Sequence, residues 1–492
     1  MSRTTRLIAA TLACTALLGG VSPAPARPRA SAPADPATPP IPPQWPRGEA
    51  YVLPGDAALP AYGYAQVLGD PRLVRVIDAA LAHNQDMAVA LANIAAARAA
   101  YQVQRGALFP EFDAGAGFTH AGGDGKLLSG AATKGDAASF QGTVASYEVD
   151  LFGRVQGLTA AARAQYLASE AGARATRLTL IANVANAWLI YAADQSLLKL
   201  AQDTATSAQQ SVDLTRRRVD GGIAPLTDQR KAELTLHTAD ADIAAQTTAI
   251  AQDLNALRLL VGADIPADAL PTAIDEAAAH LSPVPAGLES AILLRRPDVV
   301  QAEFALRASD AQVDAARAAL FPKITLTGVA GVATTALSSL FTGGAFGWAV
   351  GSAVSYPIFR GGAGKAAYKA SQAQRDAALA GYRKAVQSAF ADVANTLARR
   401  GTIEVQAAEV QAARDAARDN YQMTDRRYRG GIGTWLDALT AQQSLYATEK
   451  TLVAVRLTRA GNLVGLYRAL GGDQAQVAAM SQIYGTSGGK GG

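Results

Sequence analysis

Side chains able to do covalent or metal chemistry are few and scattered in this 492-residue chain. The four histidines, His83, His120, His237 and His280, fall at no spacing that would gather ligands around a metal, and the single cysteine is Cys14. The run Gly361-Gly-Ala-Gly-Lys365 lacks both the spacing and the following Ser or Thr of a phosphate-binding loop. These residues predict no enzyme, no metal and no cofactor. What stands out instead is a pattern of charge and glycine that occurs twice. "RRVDGGIAPLTD", Arg217 to Asp228, returns as "RRYRGGIGTWLD", Arg426 to Asp437. Arginines complement a helix C-terminus, and a glycine pair can supply a left-handed cap. Thr434 with Asp437 reads as a capping box, and Pro225 suits a helix's first turn. On spacing alone these are the parts of a capped helical hairpin, made twice.

Beyond the turns, the composition says little about partners. The 45 basic and 41 acidic residues are mixed along the chain, with no basic tract to suggest nucleic acid. Charged residues make up only 17%, which suits long helices packed through small side chains. Residues 1–26 have the layout of a secretory signal peptide: Arg3 and Arg6, an apolar run from Leu7 to Leu18, then Ala24-Pro-Ala26 as a cleavage site. Cys14 lies in "TLAC", similar to a lipoprotein box, so it is either lipidated or discarded with the signal. Residues 27–60 are proline-rich and predict an extended tail.

Internal similarity sets the architecture. "RGALFPEF", Arg105 to Phe112, returns as "RAALFPKI", Arg317 to Ile324, and "DLFGRV" is echoed by "PIFRGG" in the same order as the turns. The repeats fall at 61–261 and 298–471, separated by 262–297 and followed by a tail, 472–492. Each unit reads helix, strand pair, very long helix, turn, helix. No proline interrupts Arg154 to Asp220, and Leu178, Ile181, Ala185, Trp188 and Ala192 keep the three-four spacing of a packed seam.

Strands are expected at about 111–121, 139–152, 323–333 and 346–358. From Phe346 to Ile358, large groups alternate with small ones. Lys323 to Arg360 encloses no charge, which also raises a transmembrane helix, but the glycines and the period of two favour a strand hairpin. In a bilayer, strands must close into a barrel without edges. Four strands cannot close, so several chains must share the barrel.

The chain resembles the outer-membrane efflux factors, the TolC-like and OprM-like channels, and among them the NodT-type group. The resemblance rests on "GDPRLVRVIDAALAHNQDMAVALANIAAARAAY", "ALFPEF", "YEVDLFGRV", "GLESAILLRRPDVV", "WAVGSAVSYPIFRGG" and the two glycine turns, in that order. It implies a mainly α fold: a homotrimer whose helices form a periplasmic helical barrel and whose strands, four per chain, form a 12-stranded outer-membrane β-barrel in contact with lipid. It implies passive conduction of drugs or other toxic compounds from a periplasmic adaptor and an inner-membrane pump. An outer-membrane channel for type I protein secretion and a non-conducting periplasmic scaffold are the alternatives. By motif, Gly221, Gly222, Ile223, Gly430, Gly431 and Ile432 would dock the adaptor. Asp437 would line the closed aperture, and Tyr428 would latch to Asp228. Gly433 and Thr440 depart from relatives that carry a latch arginine and a second ring aspartate. The segment 262–297 would form a belt around the helices.

Overall fold

The computed structural model describes residues 63–121, 135–282, 290–334, 340 and 345–472. The expected signal peptide, Cys14, the proline-rich tail and nearly all of the C-terminal tail lie outside these residues. The elements run α1 (Tyr64–Leu68), α2 (Pro71–His83), α3 (Gln85–Gly106), β1 (Asp113–Ala121), β2 (Gly135–Glu148), α4 (Arg154–Asp220) and α5 (Leu226–Val261). They continue through α6 (Ile274–Ala279), α7 (Pro297–Ala318), β3 (Lys323–Thr334), β4 (Phe346–Ser355), α8 (Ala363–Arg429) and α9 (Trp435–Ala469).

Helices α4 and α8 each run for 67 residues without a break. At 1.5 Å per residue each reaches about 100 Å. Alanines set the packing distance along α4: Ala161, Ala164, Ala168 and Ala171 are buried, then Ala182, Ala185, Ala192 and Ala193. Small side chains let neighbouring helices approach closely, which compensates for the scarcity of large apolar groups.

The main hydrophobic core lies around the middle of α4, where Ile181, Val184, Trp188 and Leu189 are fully enclosed. The segment between the repeats supplies much of the cover. Its 3-10 turn, Ala267–Ala269, receives the Trp188 indole N–H at 3.0 Å through the Ala269 carbonyl, and Ile274 and Ala277 of α6 bury against the same core. Asp70 caps α2 by accepting from the Arg72 backbone at 2.8 Å, and the Arg72 guanidinium reaches Glu276 of α6 at 2.7 Å. At the far end of the same segment, buried Arg296 reaches the second repeat: it donates to the Ala469 carbonyl at 2.9 Å and pairs with Asp298 and Asp392 at 2.8 and 3.1 Å. Burial alone would depress its pKa, but the two carboxylates more than offset this and the net shift is upward.

The four strands form one antiparallel sheet in the order β1-β2-β3-β4, which leaves β1 and β4 as edges. Register places Phe140, Val332 and Phe346 in one row and Gly142, Ala330 and Trp348 in the next. These residues share a face with Val144, Val350 and Val354. The other face carries Asp113, Gln141, Thr143, Lys323, Thr325, Thr327 and Ser355, with small residues and the single Val329 between them. An extra residue in β2 between Val144 and Tyr147 forms a bulge, which sharpens the local twist. No helix among the described residues is long and apolar enough to cross a membrane.

Candidate functional site: the paired helix turns and the aromatic tip

The two glycine turns join α4 to α5 and α8 to α9, and they are the same backbone motif twice. In the first, Ile223 N–H donates to the Arg218 carbonyl at 2.8 Å, and Gly222 N–H donates to Val219 at 2.9 Å. In the second, Ile432 donates to Arg427 at 3.0 Å and Gly431 to Tyr428 at 3.1 Å. This paired closure is the Schellman motif, and it needs a left-handed residue. Gly222 and Gly431 take that role with φ of 68° and 77°. Gly221 and Gly430 precede them as the cap residues, with φ of −81° and −77°.

The turn thus explains why each glycine pair stands before isoleucine. With the backbone folded back, Ile223 and Ile432 project into solvent, 79% and 75% exposed. Leu226 and Leu436 are exposed on the first turns of α5 and α9. At the start of α9, Thr434 Oγ1 accepts from the Asp437 backbone at 3.1 Å. Pro225 takes the matching N-cap position of α5. The Gly433 position is tight: a Cβ there would stand 3.1 Å from the Arg427 Cβ and 3.2 Å from the Tyr428 nitrogen, so a larger residue would need the neighbouring turn to give by a few tenths of an ångström.

Behind the turns lies a second, smaller core. Ala232 of α5 meets Tyr428 of α8 and Trp435, Ala438 and Leu439 of α9, with Val212 and Leu214 of α4 against them. The Tyr428 and Trp435 rings meet at 5.1 Å, tilted by 52°. The Arg218 guanidinium sits over the Tyr428 ring at 4.3 Å from its centroid. Such a cation over an aromatic face is worth about 0.5–2 kcal/mol, more as water is excluded. The Trp435 indole nitrogen is buried without a hydrogen-bond partner among the described residues. An unmade bond of that kind costs about 1–3 kcal/mol, so this core is tightly closed but not deeply stable.

The structure brings Tyr428 and Asp228 into one electrostatic neighbourhood but not into the expected bond. Burial raises the Tyr428 hydroxyl above its ordinary pKa, Arg218 opposes that rise, and the Asp228 charge adds to it. Among the described residues the Tyr428 hydroxyl donates no hydrogen bond to Asp228; the group on the ring is Arg218. Sequence reasoning missed Arg218 and Trp435 because each looked like a helix-end residue. One signal was available: Trp435 stands where the first turn has Leu226, and Tyr428 where it has Val219, so only the second copy carries aromatic residues at both places. Asp437 is exposed on the first turn of α9.

Above the tip, contacts between the two hairpins become polar. Ser207 of α4 bonds Tyr421 of α8 at 3.0 Å and receives Gln442 of α9 at 3.3 Å. Asp242 of α5 accepts from the Tyr446 hydroxyl at 2.6 Å and pairs with Lys450 at 3.1 Å. Its carboxyl is held below the usual range by these two partners, against the opposing effect of burial.

Comparison with known proteins places the two repeats in a family. The family model for outer membrane efflux proteins matches residues 76–263 and 288–472, one segment for each repeat. The probable efflux pump outer membrane protein TtgC of Pseudomonas putida is 40% identical over 444 residues, covering 88% of this chain and 90% of TtgC. OprJ of Pseudomonas aeruginosa is 35% identical over 85% of this chain and 87% of its own. Among solved structures, the open state of the Neisseria gonorrhoeae MtrE outer membrane channel superposes with a TM-score of 0.77 at 33% identity, covering 87% of this chain and 98% of MtrE. CusC matches with a TM-score of 0.75 at 30% identity, over 87% of this chain and 98% of CusC. With both repeats matched in order and nearly the full length of these relatives covered, the chain belongs to the outer membrane efflux protein family.

Proposed function

We propose that this protein is the outer-membrane channel of a tripartite efflux system, passively conducting small toxic molecules delivered by a periplasmic adaptor and an inner-membrane pump. The observation that carries this reading is the sheet. It has two open edges, one face with Trp348 and Val350 each 71% exposed, and an opposite face of small and polar groups. Apolar groups facing out and polar groups facing in is the pattern of a barrel wall in lipid. Three copies would close twelve strands into a barrel and carry the long helices on as a tunnel.

In this arrangement residues 61–261 and 298–471 form the two halves of each protomer, and 262–297 forms the belt. Gly221, Gly222 and Ile223, with Gly430, Gly431 and Ile432, present the adaptor-docking tip. Asp437 lines the closed aperture, with Asp228 and Tyr428 behind it. Three carboxylates meeting on a threefold axis would repel one another and attract cations, so the ring would filter ions as well as gate. Relatives are named for antibiotic, toluene and solvent efflux, which makes small apolar compounds the first substrates to test.

The test is deletion of the gene in a strain without redundant channels, with intracellular accumulation of toluene, dyes and antibiotics measured. Accumulation should rise and fall again on complementation with the wild type but not with Val350→Asp, which places a charge on the lipid face. Unchanged accumulation on deletion would sink the efflux role, and full complementation by Val350→Asp would sink the barrel assignment.

A further inference from the structure

Arg218 makes two contacts at the same place. Its guanidinium covers the ring of Tyr428, which is only 4% exposed, and its Nη2 reaches the Tyr428 carbonyl at 3.5 Å. That carbonyl is the one that receives Gly431 N–H and so closes the second turn. Meanwhile the Arg218 carbonyl receives Ile223 and Ala224 at 2.8 and 3.2 Å and closes the first turn. One residue is therefore bonded into both turns.

The repeat supplies an internal control. Arg427 is the counterpart of Arg218, but it is exposed, and Tyr428's counterpart is Val219, which offers no ring. Among the described residues only one such clamp occurs at the tip, and it runs from the α4–α5 hairpin to the α8–α9 hairpin. Without it the remaining tip contacts are the few apolar residues of the small core, with polar pairs beginning higher up at Ser207 and Gln442.

We propose that Arg218 is the positioning residue that holds the two hairpins of each tip together in the closed state, through its cation on the Tyr428 ring and not through the Tyr428 hydroxyl. The proposal rests on the tip being the gate. It also links docking to opening. A partner that seats on Ile223 pulls on the turn whose carbonyl anchor is Arg218, so displacement of the turn withdraws the guanidinium from the ring. The clamp is weak enough for such a contact to break and strong enough to bias a two-state tip.

The experiment measures the open fraction of the full-length channel reconstituted in planar bilayers, comparing wild type with Arg218→Gln, Arg218→Lys, Tyr428→Phe and Tyr428→Leu. Arg218→Gln and Tyr428→Leu should raise the open fraction roughly two- to thirtyfold, the range set by losing one cation–ring contact. Tyr428→Phe and Arg218→Lys, which keep the ring and the cation, should stay within about twofold of wild type. The pair Arg218→Gln with Tyr428→Leu should leak no more than Tyr428→Leu alone. A Tyr428→Phe channel as leaky as Tyr428→Leu, beside an unchanged Arg218→Gln channel, would transfer closure to the hydroxyl and overturn the proposal. Equal leakage from Arg218→Lys and Arg218→Gln would overturn it too, because charge over the ring would then be irrelevant. Arg218 is only partly buried, so its variants remain readable if Tyr428→Leu fails to assemble. A wild-type protein that inserts without conducting under any condition would instead defeat the channel reading itself.

Discussion

The same long helices are held in two different ways along their length. Around the middle of α4, Trp188 is fully enclosed, its indole N–H is satisfied by Ala269, and Arg72 and Arg296 tie both repeats to the segment between them. At the tip, the enclosed cluster shrinks to Ala232, Tyr428, Trp435, Ala438 and Leu439, and the equivalent indole N–H of Trp435 is left without a partner. One tryptophan is fully paid for by its surroundings and the other is not. Local stability follows burial and satisfied polar groups, so the middle of the long helices should open locally less readily than the tip.

Trp188→Ala should break the contrast most severely. Removing a fully packed indole costs about 3–5 kcal/mol and leaves a cavity against α6. Thermal unfolding and outer-membrane yield would both fall; a midpoint near wild type would show that this core is not the anchor. Trp435→Ala should cost less, roughly 2 kcal/mol, because the tip core is smaller and the lost indole was itself unsatisfied. Its effect should be local, with hydrogen exchange rising at the ends of α4, α5, α8 and α9 and unchanged around Trp188.

A third variant probes a carboxylate pair between α4 and α5. Asp194 of α4 and Asp253 of α5 face each other; burial, then the Asp194 charge, pushes Asp253 up to about 6, and burial raises Asp194 as well. A raised carboxyl pKa means the folded state holds the proton more tightly than the unfolded chain does. The resulting stability is complete below the ordinary aspartate value near 4 and is lost as pH rises through about 6. Asp253→Asn should therefore be more stable than wild type above pH 6 and show a flatter dependence between pH 4 and 7, read from thermal midpoints across that range. A wild-type profile with no fall through that window would remove the carboxylate pair from the account. The smallest structural effect is expected from Ile223→Ser with Ile432→Ser. Both side chains are exposed, so stability should change by less than about 0.5 kcal/mol for each, while efflux in cells should drop if the tip docks an adaptor.

Much of the architecture was legible because its signals are periodic or repeated. Alternation from Phe346 onward marks a strand with two unlike faces, and the proline-free runs mark α4 and α8. The twin turns announced their own backbone geometry, since a Gly-Gly-Ile sequence after arginines fits one closure well. What stayed hidden were contacts between elements far apart in sequence. Arg218 and Tyr428 are 210 residues apart, and nothing at either position reveals the other. Likewise Glu148, an acid at the end of a strand, gave no sign that Arg154 at 2.6 Å and Lys323 at 3.2 Å would both neutralise it at the junction of sheet and helices. The Tyr428–Asp228 bond was expected by resemblance, and here a cation on the ring stands where a hydroxyl bond was anticipated.

Among the described residues no further strand covers β1 or β4, and these two edges carry a consequence for how the protein comes into being. A lone chain in water would expose two rows of free backbone donors and acceptors beside an apolar face, a template that any extended segment could join. For such a chain, finishing its fold and finding its own copies are a single event. Its apparent stability should therefore rise with protomer concentration, and its most hazardous moment is the interval before the strands meet their partners.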